Sequence, residues 1–202
     1  MTPYWKLKNS FRKVEEVYID KDVSVFSSNC TGSLYLHEHH VRFNSPFVNL
    51  WLRPAEYIKL LSDLDKYLNC KMKFIYDEEV NYPVGLLGGD VKIFFQHYKT
   101  EQEALKKWKE RCARINRDKI RVIMVQRGKC TYEDLKNFEM LPYEHKVCFT
   151  YKEYPEFKST YYIRGFEEKK AVGDLFEFEG LLSLKKYYDQ FNMPDFLNGI
   201  YY

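Results

Sequence analysis

An α/β fold with a mostly parallel sheet is what this chain predicts, and three observations predict it. Short apolar runs alternate with segments of amphipathic helical spacing over most of the length. One run, Ile120–Val125, is almost continuously apolar, as a strand buried on both faces requires. With 202 residues, 45% of them hydrophobic, the chain can bury a sizeable core without staples. A single domain over 1–202 is therefore expected, with 1–20 as an N-terminal segment and 156–202 as a region of aromatic strands and a closing helix.

The elements follow in order. Phe11, Val14, Val17 and Tyr18 suggest a short amphipathic helix within 1–20. Val23–Ser27 reads as the first strand. It runs into Ser28-Asn29-Cys30-Thr31-Gly32, a polar turn of small residues. Phe47–Leu52 reads as a buried strand. Pro54 then opens a helix, where its missing N–H costs nothing, and Tyr57, Leu60, Leu61, Leu64 and Leu68 form that helix's apolar face. Met72–Tyr76 and Val91–Phe95 are strand candidates, the second following a turn at 85–90. Thr100 and Glu103 form a capping-box signature before a helix with Leu105, Trp108, Cys112 and Ile115 on one face. Its other face is basic, including Lys107, Arg111 and Arg114, and could attract an anion, although a helix this charged is ordinarily just solvated. After Ile120–Val125, Thr131 caps a short helix and Val147–Tyr151 is the next strand. Beyond Pro155, Tyr161–Phe166 and Leu175–Phe178 suggest an antiparallel hairpin, and Leu181–Phe191 a closing helix stopped near Pro194.

Composition excludes several classes. A net charge of +3 without a concentrated basic stripe argues against nucleic acid. No apolar stretch is long enough to cross a bilayer. Met1–Asp20 is rich in Lys, Arg and Glu and lacks the apolar core of an export signal, which makes the cytoplasm the expected location. Five cysteines at irregular spacing fit neither a disulfide framework nor a zinc ribbon. The 18 Tyr and 15 Phe read first as core and strand residues, although carbohydrate sites use the same rings.

Ligands of open α/β sheets bind beyond the carboxyl ends of the strands. The turn after the first strand is therefore the leading candidate site. Asn29, Thr31 and Gly32 could hold a phosphate or carboxylate through backbone N–H groups. Cys30 could be a nucleophile if a helix N-terminus lowers its pKa, or merely fill a tight corner. His97, at the end of a strand, is the best-placed general base. Asn44 and Ser45 could belong to a binding loop or punctuate a strand, and Asp90 could bind a sugar hydroxyl, a metal or its own backbone. His37-Glu38-His39-His40 lacks the one-turn spacing of a zinc helix, so no metal is expected. Lys119, Arg121, Arg127 and Lys129 bracket a strand, the last two on the side of the other strand ends, as phosphate partners would.

Ser27-Ser28-Asn29-Cys30, Phe43-Asn44-Ser45-Pro46, Tyr82-Pro83-Val84-Gly85, Asp90, His97-Tyr98, Lys107-Trp108, Arg111 and Arg114-Ile115-Asn116 recur together here, with Leu141-Pro142-Tyr143, Lys146, Phe149-Thr150 and Tyr154-Pro155. This set resembles a bacterial family of uncharacterised proteins linked to exopolysaccharide or capsule biosynthesis, from about residue 22 to the end. The chain departs from the common family form at Ser28, where a second Asn is usual, and at Thr31, where a bulky aromatic often stands. The resemblance implies a three-layer α/β/α, Rossmann-like fold and a role in cell-surface polysaccharide assembly. The expected activity is a transferase acting on a sugar, sugar nucleotide or activated acyl donor. Asn29, Cys30, Thr31 and Gly32 would line the donor pocket, with Asn44, Ser45, Asp90 and His97 around it. Two alternatives stand beside it: a non-catalytic nucleotide-sugar binder or regulator of a glycosyltransferase, and a Cys-dependent acyltransferase or hydrolase. Expected partners are a sugar or sugar-nucleotide ligand, a glycosyltransferase and a further copy of the chain. No cofactor can be named from these residues.

Overall fold

The computed structural model describes residues 3–200, the side chains of residues 3, 4 and 6 aside. Two sheets organise it. Strands β1 (Ser24–Ser27), β5 (Ile120–Val125), β6 (Lys146–Thr150) and β7 (Thr160–Tyr162) form a four-stranded parallel sheet in the order β1-β5-β6-β7. Strands β2 (Lys73–Ile75), β3 (Val84–Leu87) and β4 (Val91–Phe94) form a separate antiparallel sheet. The fold is thus mixed α/β. The strands expected at 72–76 and 91–95 exist but leave the parallel sheet. The turn expected at 85–90 is half strand, because Gly85 lets Met72 and Phe95 close over β3: a Cβ there would sit 2.9 Å from each.

Side-chain alternation along the parallel strands divides the core in two. Phe26, Val122, Met124 and Cys148 face one cluster. It contains the apolar faces of α3 (Pro54–Ser62), α4 (Leu64–Asn69), α5 (Glu101–Cys112) and α6 (Tyr132–Glu139), and of the antiparallel sheet. Val25, Ile123, Val125, Val147 and Phe149 face the other, built from α2 (Thr31–Glu38), α7 (Met193–Asn198) and the chain between Val172 and Phe191. Asp63 divides the expected long helix after Pro54 into α3 and α4. Caps fix the helices as their sequences require. The Thr100 side chain accepts from Glu103 N, and Thr131 and Asp134 form a reciprocal capping box.

Four expectations are corrected. Phe47, Val48, Leu50 and Leu52 are buried, but Phe47–Leu52 is not a strand, because Asn49 takes a left-handed φ of 61°. Its backbone instead joins the two sheets: Leu52 N donates to Ser28 O, Trp51 and Phe94 exchange backbone bonds, and His97 N donates to Asn49 O. The N-terminal helix is α1 (Pro3–Phe11), and 12–20 runs without helix, leaving Val14 and Tyr18 exposed. The C-terminal hairpin is absent. β7 pairs parallel with β6, and Tyr154 and Phe157 bury in the first cluster where a crossover helix would usually lie. The closing helix over 181–191 is replaced by a 3-10 turn at Tyr187–Gln190, and Leu181, Leu182 and Leu184 stay exposed. Pro194 starts a helix instead of stopping one: it sits in the first turn of α7, capped by the Asn192 side chain and closed by Gly199 at φ 78°.

Polar groups pin the two ends of the chain together. Arg12 bridges Glu38 and Asp189, both at 2.8 Å, and Lys186 Nζ lies 2.9 Å from Glu38. Tyr188 donates to Glu38 and accepts from Arg12. Lys186 is only 3% exposed, its ammonium enclosed by the rings of Trp5, Phe176 and Tyr188.

Candidate functional site

β1 and β5 end side by side, and the loops that leave them open a cavity of about 280 Å³ at their carboxyl ends. Ser28 and Asn29 line it from β1, and Val125, Arg127 and Gly128 from β5. Trp51, Leu52 and Pro54 close it from the segment joining the sheets, and Gln96 from the end of β4. Backbone geometry explains how these residues meet. Ser28 N donates to Ile123 O and the Ser28 hydroxyl accepts from Val125 N, which locks the two rims together. Gly128 and Lys129 both take left-handed φ values, 63° and 69°, which turns the chain sharply after Arg127.

Asn29 is 4% exposed. Its Oδ1 accepts from Thr31 N at 2.9 Å, and its amide NH2 has no protein partner among the described residues and is not sealed off. That amide is available to the cavity. The Arg127 side chain is exposed and has no ion pair or hydrogen bond among the described residues. Trp51 is held rigidly: it stacks on Phe94 at 3.9 Å between centroids and donates through Nε1 to Tyr82. The arrangement offers one guanidinium, an amide donor, a hydroxyl, a carboxamide from Gln96 and an indole. Such a set has the chemistry to receive an anionic, hydroxyl-bearing molecule.

The other residues singled out in the sequence are distributed as follows. Thr31 N is engaged by Asn29, and Gly32 N donates to the Ser27 hydroxyl at 3.2 Å. The chain's own side chains thus occupy two of the three backbone donors that are expected to take an anion. Gly32 is required by packing: a Cβ there would lie 2.7 Å from Val25 Cγ1. Cys30 is half-buried with its Sγ 3.9 Å from Leu50 O. Burial pushes its thiol up, and the nearby Arg127 charge only partly offsets this. That is the reverse of an activated thiolate. His97 is exposed and does not line the cavity, and no hydrogen bond links it to Cys30. Asn44 lies at the opposite, amino end of β1, where its amide donates to Lys21 O and Val23 O. Ser45 accepts from Phe47 N within its own turn. Asp90 lies in the β3–β4 turn, at the far end of β4 from Gln96, paired with Lys59 at 2.6 Å and accepting from Tyr67. Arg121 is buried and caps α7 through the carbonyls of Phe196 and Leu197. The cavity therefore gathers Asn29 with residues that sequence reasoning assigned to the core or passed over, chiefly Trp51 and Gln96. Arg127 carried a signal, a cation directly after the most apolar strand.

Among the described residues, no three His, Cys, Asp or Glu side chains gather as a metal cluster. No helix of these residues is long and apolar enough to cross a membrane. Residues 4–198 match the family described as a domain of unknown function, DUF1919. The chain belongs to this family. An uncharacterized protein of Haemophilus influenzae is 42% identical over 207 residues, spanning 98% of this chain and 99% of that protein. DUF1919 thus occupies nearly the whole chain, both sheets and the cavity included.

Proposed function

We propose that the cavity binds the phosphate and sugar of a phosphorylated sugar or sugar nucleotide, and that the chain serves cell-surface polysaccharide assembly in the cytoplasm. The observation that carries the ligand class is the pairing of Arg127, which has no carboxylate partner, with the buried Asn29 amide in a single cavity. Arg127 would take the phosphate, Asn29, Ser28 and Gln96 the sugar hydroxyls, and Trp51 the sugar's apolar face. At about 280 Å³ the cavity suits a monosaccharide-sized group, with any nucleotide extending outward. A three-layer, Rossmann-like arrangement belongs to the same reading and is supported by the division of the core across the parallel sheet. The polysaccharide role rests on the likeness carried by the residues quoted from the sequence.

In the transferase form of this reading, Arg127 stabilises charge on a departing phosphate and no covalent thiol step is needed. A non-catalytic binder is the second reading. It is favoured by one observation: no His, Cys, Asp or Glu lines the cavity among the described residues. Calorimetric titration with hexose 1-phosphates and sugar nucleotides tests the ligand class. Binding that Arg127→Ala and Asn29→Ala each weaken about tenfold or more supports it. Absence of binding across the panel overturns it. Phosphorus NMR of the bound donor with candidate acceptors then separates the two forms: release of nucleotide or phosphate marks a transferase, and an intact donor marks a binder.

A further inference from the structure

We propose that Arg42, Arg111 and Arg114 form a second ligand site, separate from the cavity, that takes a dianionic phosphate group. These residues line an open depression of about 480 Å³ together with Lys107, His37 and His40. Two segments bring them together. Lys107, Arg111 and Arg114 recur at four- and three-residue spacing along α5 and the turn after it, so they share one face. On the other side, α2 ends and the chain reverses at His40, whose left-handed φ of 56° directs Arg42 toward that face.

Two of the guanidinium groups are held without carboxylates. Arg111 donates to the Tyr98 hydroxyl and to Val48 O, with its guanidinium 5.7 Å from the Phe43 ring centroid. Arg114 donates through Nε to the backbone of Glu110. Neither forms an ion pair among the described residues, nor does Arg42. Burial, followed by the charges of Arg42 and Arg111, lowers the Arg114 pKa, so the three cations repel one another. Overall composition does not force this, since 29 acidic residues nearly balance 32 basic ones. The local charge balance sets the ligand's charge. Among the described residues, the one ion pair made by Arg42, Lys107, Arg111 or Arg114 is that of Lys107 with Glu110 at 3.2 Å, and Glu110 also lies 4.0 Å from Lys106. The carboxyl ends of α2 and α5 add roughly half a negative charge each. About two positive charges remain uncompensated, the charge of a phosphate monoester, and planar guanidinium forks match phosphate oxygens.

The depression is distinct from the cavity. α2 begins at the cavity rim and its eight residues carry the chain about 12 Å away before His40. Beyond the far end of α5, Asn116 N donates to Ser24 Oγ, at the amino end of β1.

The test titrates inorganic pyrophosphate and glycerol phosphate into the full chain at low salt, with sodium chloride at equal ionic strength as control. In parallel, the chain is sedimented with vesicles containing phosphatidic acid or phosphatidylcholine alone. Each titration is made in an Arg127→Ala chain, which removes the cavity's guanidinium, and the variants added to it are Arg42→Gln with Arg114→Gln, and Arg42→Lys. Binding of the phosphate compounds that persists in the Arg127→Ala chain, falls tenfold or more when the double variant is added and falls less with Arg42→Lys supports the site and assigns it a soluble ligand. The same pattern with phosphatidic acid vesicles alone supports the site and assigns it a lipid headgroup. No binding by either in the Arg127→Ala chain, binding matched by chloride, or binding unaffected by the double variant overturns the proposal. Circular dichroism and melting temperature establish that each variant is folded. Because the cavity's Arg127 is absent from every titration here, failure is distinguishable from failure of the sugar-phosphate reading.

Discussion

Two polar regions of this molecule differ in one respect. Around Glu38, two cations and two carboxylates are assembled and balanced: Arg12, Lys186, Glu38 and Asp189 all find partners, and Tyr188 completes the set. In the cavity at the ends of β1 and β5, Arg127 and the Asn29 amide have none among the described residues. The first region holds the chain ends together, its charges already engaged with one another. The second has donors already in place and little to do for stability. Completeness of partners, rather than polarity or burial, separates the structural cluster from the candidate binding one.

Substitutions can break this contrast. Glu38→Ala should have the largest effect, because it leaves the Lys186 ammonium, 3% exposed, without a carboxylate. A loss of about 3–5 kcal/mol is expected in denaturant unfolding. Gly32→Ala should cost about 1–3 kcal/mol by the same measurement, since the new methyl meets Val25 and Ser27. Arg127→Ala should shift stability by no more than about 0.5 kcal/mol while weakening sugar-phosphate binding about tenfold or more. A large loss of stability in this variant would erase the distinction between the regions.

Acid sharpens the comparison. Burial pushes the Glu38 carboxyl up, but hydrogen bonds from Tyr188 and Lys186 and the charges of Lys186 and Arg12 outweigh it and hold the pKa below its ordinary value. Its contribution is therefore complete above the unfolded carboxylate pKa of about 4.3 and lost as pH falls through the lower folded value. Melting temperature followed downward from pH 5 should fall less steeply in Glu38→Gln than in the parent chain. The smallest effect is expected at Cys30. With its thiol pushed up by burial, it should react with iodoacetamide at pH 8 more slowly than a free cysteine. Faster reaction would restore the nucleophile.

Much of the fold was legible because local chemistry and tertiary demand agree. Ile120–Val125 is apolar on both faces and lies in mid-sheet, and the caps at Thr100 and Thr131 form as their spacing requires. The segment 47–52 was not legible, since its apolar residues need burial and its backbone finds partners outside any regular ladder. The C-terminal region misled for a related reason: aromatic runs signal burial but do not state which strand they meet. Within the site, Asn29 stands beside the cavity that its place after β1 suggested. Asn44 and Ser45 have the same turn chemistry, yet spend it on nearby backbone groups. Sequence does not separate these cases, because whether an amide turns inward to its own chain or outward to a ligand is decided by distant residues. Trp51 was hidden because an indole on a cavity wall looks like one in the core.

The separation of β1 from its partner has a kinetic consequence. Ser24 pairs with Ile120, and almost half the chain's length lies between them. At translation speeds of about 5–20 residues per second, β1 would wait on the order of ten seconds for the strand beside it to be made. Throughout that interval an apolar edge with free backbone groups is exposed to the cell, and such edges pair readily with the wrong neighbour. Yield on rapid overexpression should therefore depend on chaperone supply and growth temperature more steeply than the finished molecule's stability would suggest.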